Sequence, residues 1–256
     1  MSMSLERRIS IFFLILFMVP FLILLSIEGK LLKNESLYPL FYEIAEILSL
    51  IIAIYYFSKI GRVWRGWLGW LFVVLSLVLL FIADFAWNFY PLFKGEETPF
   101  PGIPDIFYVL FYVFAFVFLI YFIRLLRLEF DVSEKFLILL ISLLFLVLLV
   151  QGILIPVLRS QEMTILSKIL NIFYIVGDFI LIILAFMLIV KLWGGKVAKN
   201  YSYFILAVFL INIGDILFTY IFRDFKISNW AYIFYLASFL LLAYSIVRES
   251  LLHISK

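Results

Sequence analysis

The 256-residue chain contains no cysteine and a single histidine, His253, within the last four residues given. Without cysteine there is no disulfide scaffold, thiolate metal site or cysteine nucleophile. One terminal histidine excludes a multi-histidine metal cluster and a buried Ser–His pair. Charge is scarce as well: Asp, Glu, Lys and Arg make up 14% of residues, and the net charge of +3 is too small and scattered to suggest nucleic acid. Hydrophobic residues supply 67%, with 31 Phe and 15 Tyr among them. A soluble domain cannot cover its surface with so few charges, so the composition predicts an all-α polytopic membrane protein.

Crossing roughly 30 Å of hydrocarbon takes about 20 apolar residues. Eight stretches qualify, at about 9–27, 40–58, 68–90, 104–123, 136–156, 169–190, 201–221 and 229–247. The connectors are short, the longest being roughly 89–103, and none accommodates a soluble catalytic domain. The whole of 1–256 therefore reads as one integral membrane domain. Arg7 and Arg8 precede the first span, which resembles a signal peptide in that respect. Its apolar run is longer than a usual h-region and lacks a small-x-small cleavage site, so a retained helix is expected. Pro20 is expected to kink it, and Pro156 to mark a break beside Gln151.

Basic residues set the expected orientation. With the N-terminus inside, the inner segments carry Arg7, Arg8, Lys59, Arg62, Arg65, Arg124, Arg127, Lys135, Lys191, Lys196, Lys199, Arg248 and Lys256. The outer segments carry Lys30, Lys33, Lys94, Arg159, Lys168, Arg223 and Lys226. These thirteen and seven account for all 20 Lys and Arg at span ends, and the inward bias predicts a cell-membrane protein with both termini cytoplasmic. Trp64, Trp67 and Trp70 beside Arg62 and Arg65 suggest an aromatic belt at the inner interface.

The even spans open alike, with Phe-Tyr pairs at 41–42, 107–108, 173–174 and 234–235, spaced by 66, 66 and 61 residues. Asp84 and Asp215 recur in odd spans, with Gln151 near the matching place in the fifth. Four parallel two-helix repeats would explain the pattern. Abundant Phe and Tyr also make such coincidences cheap.

Six of the 17 acidic residues fall within or at the edges of spans: Glu43, Glu46, Asp84, Asp105, Asp178 and Asp215. A carboxylate in hydrocarbon is costly unless it is neutralised, meets a donor or lines a wet cavity. In the proposed orientation all six lie in the outer half of the bilayer. Asp84, Trp87 and Asn88 share a helical face, as do Asn212, Asp215 and Thr219, and Asn171, Tyr174 and Asp178. Gly177 and Gly214 remove bulk beside Asp178 and Asp215, allowing close helix approach or a ligand. Glu43 and Glu46, one turn apart, form a potential coupled carboxylate pair. A purely structural role remains open for each: polar contacts set helix registry, and Asp105 suits the first turn after Pro104, where the helix dipole favours an acid. The candidate ligand-binding set is Glu43, Glu46, Asp84, Trp87, Asn88, Asp105, Tyr108, Tyr174, Asp178, Asn212 and Asp215. No catalytic or cofactor-binding residue is singled out, and a metal ligand set is unspecified, although carboxylates suit a hard cation.

Several chemistries lack their residues. No lysine falls mid-span, which disfavours a retinal Schiff base. HExxH, GxSxG, Walker and dinucleotide patterns are missing, and neither "VGD" nor "IGD" completes an aspartyl-protease pair.

At the aspartate-bearing helices the chain resembles the multi-helix membrane sensory region found N-terminal to GGDEF diguanylate cyclases and in related archaeal sensory proteins. Asp84 to Tyr90, then "PFPGIPDIFYVLFY" with Pro101, Pro104, Asp105, Phe107, Tyr108 and Tyr112, carry the likeness. Tyr174 with Asp178, Gly214, Asp215 and Phe218, and Trp230 with Tyr235 extend it over about 60–250. The resemblance implies a sensor of an unidentified signal whose output lies in an attached domain. This sequence runs to "SIVRESLLHISK" without one, so a separate cytoplasmic output protein is the expected partner, and no family catalytic residue transfers. The expectation is a sensor or small-ligand-binding module, in contact with the lipid bilayer and a small ligand or cation. The alternatives are an ion-coupled or small-molecule transporter and, with weakest support, an intramembrane lipid-modifying enzyme.

Overall fold

The computed structural model describes residues 3–28, 37–62, 64–161, 163–192, 198–221 and 228–254. Only the backbone is described for helix residues 3–4, 28, 152–153, 198–200, 219–221, 228–230 and 254. Lys30, Lys33, Lys196, Arg223, Lys226 and Lys256, and the side chains of Lys199, Thr219 and Trp230, lie outside the described residues.

The described chain is all helix and connector, with no strand. Its helices are α1 (Met3–Glu28), α2 (Leu37–Phe57), α3 (Trp67–Lys94), α4 (Ile103–Leu125), α5 (Val132–Leu149), α6 (Ile155–Arg159), α7 (Ile165–Leu192), α8 (Ala198–Ile221) and α9 (Ser228–Ile254). Eight of them, all but α6, are long and apolar enough to cross a membrane, with mean hydropathy between 1.6 and 2.8. Helices are the natural answer to such sequences, because hydrocarbon offers the backbone no hydrogen-bond partner and each N–H must be satisfied within its own segment. The chain is an all-α polytopic membrane protein.

Local chemistry sets the helix ends. Asp131 and Glu134 cap α5 reciprocally, each carboxylate accepting the other's backbone N–H, at 2.8 and 2.9 Å. α3 runs past the expected end at 90, through Pro91 to Lys94, and closes on Gly95, whose N–H donates to the Pro91 carbonyl at 2.8 Å. The break expected near Gln151 is a π-helical turn, Val150–Leu154, joining α5 to α6. Pro156 has no N–H for the carbonyl four residues back, and the widened turn sits over that gap. Gln151 there is exposed rather than directed into the bundle.

Three contacts order the helices end to end. The Arg248–Glu6 ion pair holds the end of α9 against the start of α1, and the Lys191–Glu134 pair holds the end of α7 at the start of α5. Trp70, Phe122 and Tyr201 bring the start of α3, the end of α4 and the start of α8 together, with ring centroids 4.8–5.8 Å apart. Both chain termini thus share one end of the bundle, called here the terminal end. α9 is the central helix: it packs on α8, α2, α1 and α3, and 67% of its membrane window is buried. α5 is the opposite case, 6% buried and touching only α7 among the other long helices.

Two expectations are corrected. Trp70 is no interfacial residue but wholly buried, among Phe118, Phe122 and Tyr201. Trp64 packs on His253 and Trp67 on Phe57. Arg248, placed by sequence at a span end, is a buried part of α9 that also lies over the Tyr203 ring. Its guanidinium finds Glu6, and this pairing makes burial of the charge tolerable.

Candidate functional site

All six intramembrane acids lie in the half of the bundle away from the terminal end: early in α2 and α4, late in α3 and α8, and midway along α7. Asp84, Asp105, Asp178 and Asp215 line one cavity of about 310 Å³. Phe100 and Met163, from the connectors preceding α4 and α7, line it too and mark its outermost edge. Its remaining wall is largely aromatic, with Trp87, Tyr108, Tyr112, Tyr174, Tyr232 and Tyr235, and Phe111, Phe218 and Phe239.

Every lining aspartate meets a tyrosine hydroxyl from another helix. Tyr108 of α4 donates to Asp84 of α3 at 2.5 Å, and Tyr42 of α2 approaches the other oxygen of Asp84 at 3.4 Å. Tyr235 of α9 donates to Asp215 of α8 at 2.8 Å. Tyr112 of α4 donates to Asp178 of α7 and lies 3.4 Å from Asp215. Tyr174 of α7 donates to Asp105 at 2.7 Å. The tyrosine of each of the four Phe-Tyr pairs is therefore a carboxylate partner. A buried acid with such donors avoids the full cost of lost hydration.

The glycines beside two of these acids accommodate the partner rings. A Cβ on Gly177 would come within 2.8 Å of the Tyr112 ring, and one on Gly214 within 2.6 Å of the Tyr235 ring. The bulk missing from α7 and α8 lets the tyrosine lie flat against the helix and reach the next residue's carboxylate. That is the close-approach alternative of the two that the sequence left open.

Asp105 has a double attachment. It accepts the Gly102 N–H at 2.6 Å, as a first-turn acid should, and also binds Tyr174 across the cavity wall. Asn171, Tyr174 and Asp178 all line the cavity, as their shared face predicts. Trp87 lines it as well, with its indole N–H donating to the Tyr232 hydroxyl at 3.0 Å.

Four candidates stand outside the cavity wall. Asn88 turns from the cavity to donate to Glu43 at 2.8 Å. Glu46 is completely buried, against the carboxyls of Asp84 and Glu43 and the hydroxyl of Tyr42. Asn212 donates to the Val208 carbonyl at 2.7 Å, leaving its own Oδ1 without a donor. Glu43, Glu46 and Asn88 thus form a layer behind Asp84, between α2 and α3.

Sequence reasoning did not place Tyr112, Tyr232 and Tyr235 in the site. Helical spacing was the available signal: Tyr112 falls one turn after Tyr108, and Tyr232 and Tyr235 are three apart. Toward the terminal end the bundle is closed by buried Trp70, Phe118, Phe122 and Phe204. Among the described residues no three His, Cys, Asp or Glu side chains form a group able to hold a metal ion. Carboxylates on an aromatic wall can accept hydrogen bonds from a ligand, attract a cation or pass a proton along. The chain matches no family model, no curated protein and no solved structure.

Proposed function

We propose that the protein is a membrane sensor or small-ligand-binding module. Its cavity opens to the outer face, its termini are cytoplasmic, and ligand occupancy is read at the terminal end by a separate output protein. The observation that carries this reading is the convergence of Asp84, Asp178 and Asp215, from three helices, on one cavity with a tyrosine partner for each. Ionisable groups in a membrane core are functional by default, and a largely apolar cavity with a few convergent polar groups is the usual form of a ligand site. The likeness to sensory regions that precede diguanylate cyclases points the same way, as does the basic bias toward the terminal end. The repeated Phe-Tyr pairs suit four two-helix units, each contributing one carboxylate partner.

A route to the signal exists in the helix contacts. Tyr235 on α9 binds Asp215, and the same helix carries Tyr244, bonded to Ser10 of α1 at 2.7 Å, and Arg248, paired with Glu6. A ligand that displaces Tyr235 changes the packing of a helix that reaches the terminal end against α1. A carrier needs access from both faces in turn. The aromatic closure around Trp70 favours one-sided access instead.

The reading is tested by screening metabolites and ions for saturable binding to the purified protein in lipid nanodiscs, alongside flux in proteoliposomes. Binding without flux, lost in Asp178→Asn and Asp215→Asn variants that still fold, is the expected result. Flux abolished by Asp178→Asn would make it a transporter, and no binding in any arm would end the sensor reading.

A further inference from the structure

We infer that the ligand of this cavity is a small organic ammonium ion, an amine carrying an aromatic or other apolar body. This deepens the proposed binding function and rests on it. Among the described residues the wall has four carboxylates and not one lysine, arginine or histidine. The described partners of these carboxylates are tyrosine hydroxyls, the Gly102 N–H and one another, and a cationic ligand brings a counter-charge that none of them carries.

The polar contacts of the wall have the same sign. Asp178 lines the cavity at 7% exposure, with Tyr112 donating to its Oδ1. The charged group beside it is another carboxylate, Asp215. Carboxylates set against one another call for a ligand rich in N–H donors, and an ammonium brings three. A ligand carboxylate or phosphate would add acceptors where acceptors are already in excess.

Metal ions fit less well, because no three acids among the described residues gather as a metal-binding group. An ammonium needs no such shell: one or two carboxylates suffice, and tyrosine and tryptophan faces attract the cation further. Trp87, Tyr112 and Tyr235 supply such rings. A volume of about 310 Å³ is at the lower end of ligand cavities, roughly 300–1,000 Å³, which suits a small amine.

Three probes of one shape and different charge test the inference on the unaltered protein in nanodiscs by titration calorimetry: phenethylamine, 2-phenylethanol and phenylacetate. Phenethylamine should bind saturably and at least about tenfold more tightly than 2-phenylethanol, with no binding of phenylacetate. Asp178→Asn should weaken binding of the amine more than binding of the alcohol and so reduce the advantage of the amine. Equal affinity for amine and alcohol, or preference for the acid, overturns the ammonium inference and leaves the binding module standing. Failure of all three probes to bind saturably also overturns the ammonium inference, and the binding module falls with it only if the wider metabolite and ion screen finds no ligand. Comparing the probes on the unaltered chain decides the matter even where Asp178→Asn fails to fold.

Discussion

Gly177 lies directly beneath the ring of Tyr112, so that the residue next to Asp178 makes room for the tyrosine that binds it. Gly214 does the same for Tyr235 and Asp215. In both places a glycine and an aspartate adjacent in one helix receive a single tyrosine from another. The missing side chain and the buried charge are two parts of one contact.

Replacing these glycines should therefore be costly. Gly177→Ala and Gly214→Ala each force a buried ring to shift and lengthen a tyrosine–carboxylate bond, at about 1–3 kcal/mol apiece. Gly61→Ala meets nothing within 4 Å and is the control, expected to stay within about 0.5 kcal/mol of the parent. Thermal unfolding in detergent micelles separates the three.

The hydroxyls should matter in proportion to the burial of what they bind. Tyr235→Phe removes the closest donor to Asp215 and should destabilise by about 1–3 kcal/mol, whereas Tyr55→Phe, on an exposed ring, should change nothing measurable. A double-mutant cycle of Tyr235→Phe with Asp215→Asn should give a coupling energy near 1 kcal/mol, since interhelical bonds in membranes average about 0.6. Additive effects would mean that the two side chains do not interact.

The contact between the first and last helices is open to a separate check. Glu6→Gln leaves Arg248 buried without its counter-charge, while Ser10→Ala removes the partner of Tyr244. Because Glu6 is itself half-exposed, its loss should cost about 1 kcal/mol or less. Arg248→Met, which keeps most of the packing volume, should be tolerated better than Arg248→Ala. Equal unfolding temperatures for the two would show that the aliphatic part of Arg248 contributes little.

The absence of cysteine makes the orientation directly measurable. Single cysteines at Glu96 and at Arg127 provide one reporter at each end of the bundle. An impermeant maleimide added to intact cells should label Glu96→Cys at once, and Arg127→Cys only after permeabilisation. The reverse pattern would invert the cavity and place the termini outside.

The parts of this site that were legible in the sequence are those that conflict with their surroundings. Asp84, Asp178 and Asp215 stand out because a carboxylate in an apolar run needs a physical reason. The eight spans stand out because hydrocarbon thickness sets a length. Partner identity was not legible, since it depends on how helices rotate against each other. Tyr112 and Tyr56 are both tyrosines in apolar helices, yet only the first meets carboxylates. Asn88 shares a helical face with Asp84 but goes to Glu43, because α2 packs on that side. Trp70 was misjudged for a related reason: tryptophan near a span end usually marks an interface, but here α4 and α8 cover it.

A high-resolution structure determined in lipid, on protein purified gently from its own membrane, bears most directly on whether the cavity is a ligand site. A ligand-sized density touching Asp178 and Asp215 inside the tyrosine-lined cavity is the predicted result. A cavity closed by its own aromatic side chains, with the tyrosine–carboxylate bonds intact and nothing between them, would mean that the acids serve helix packing alone.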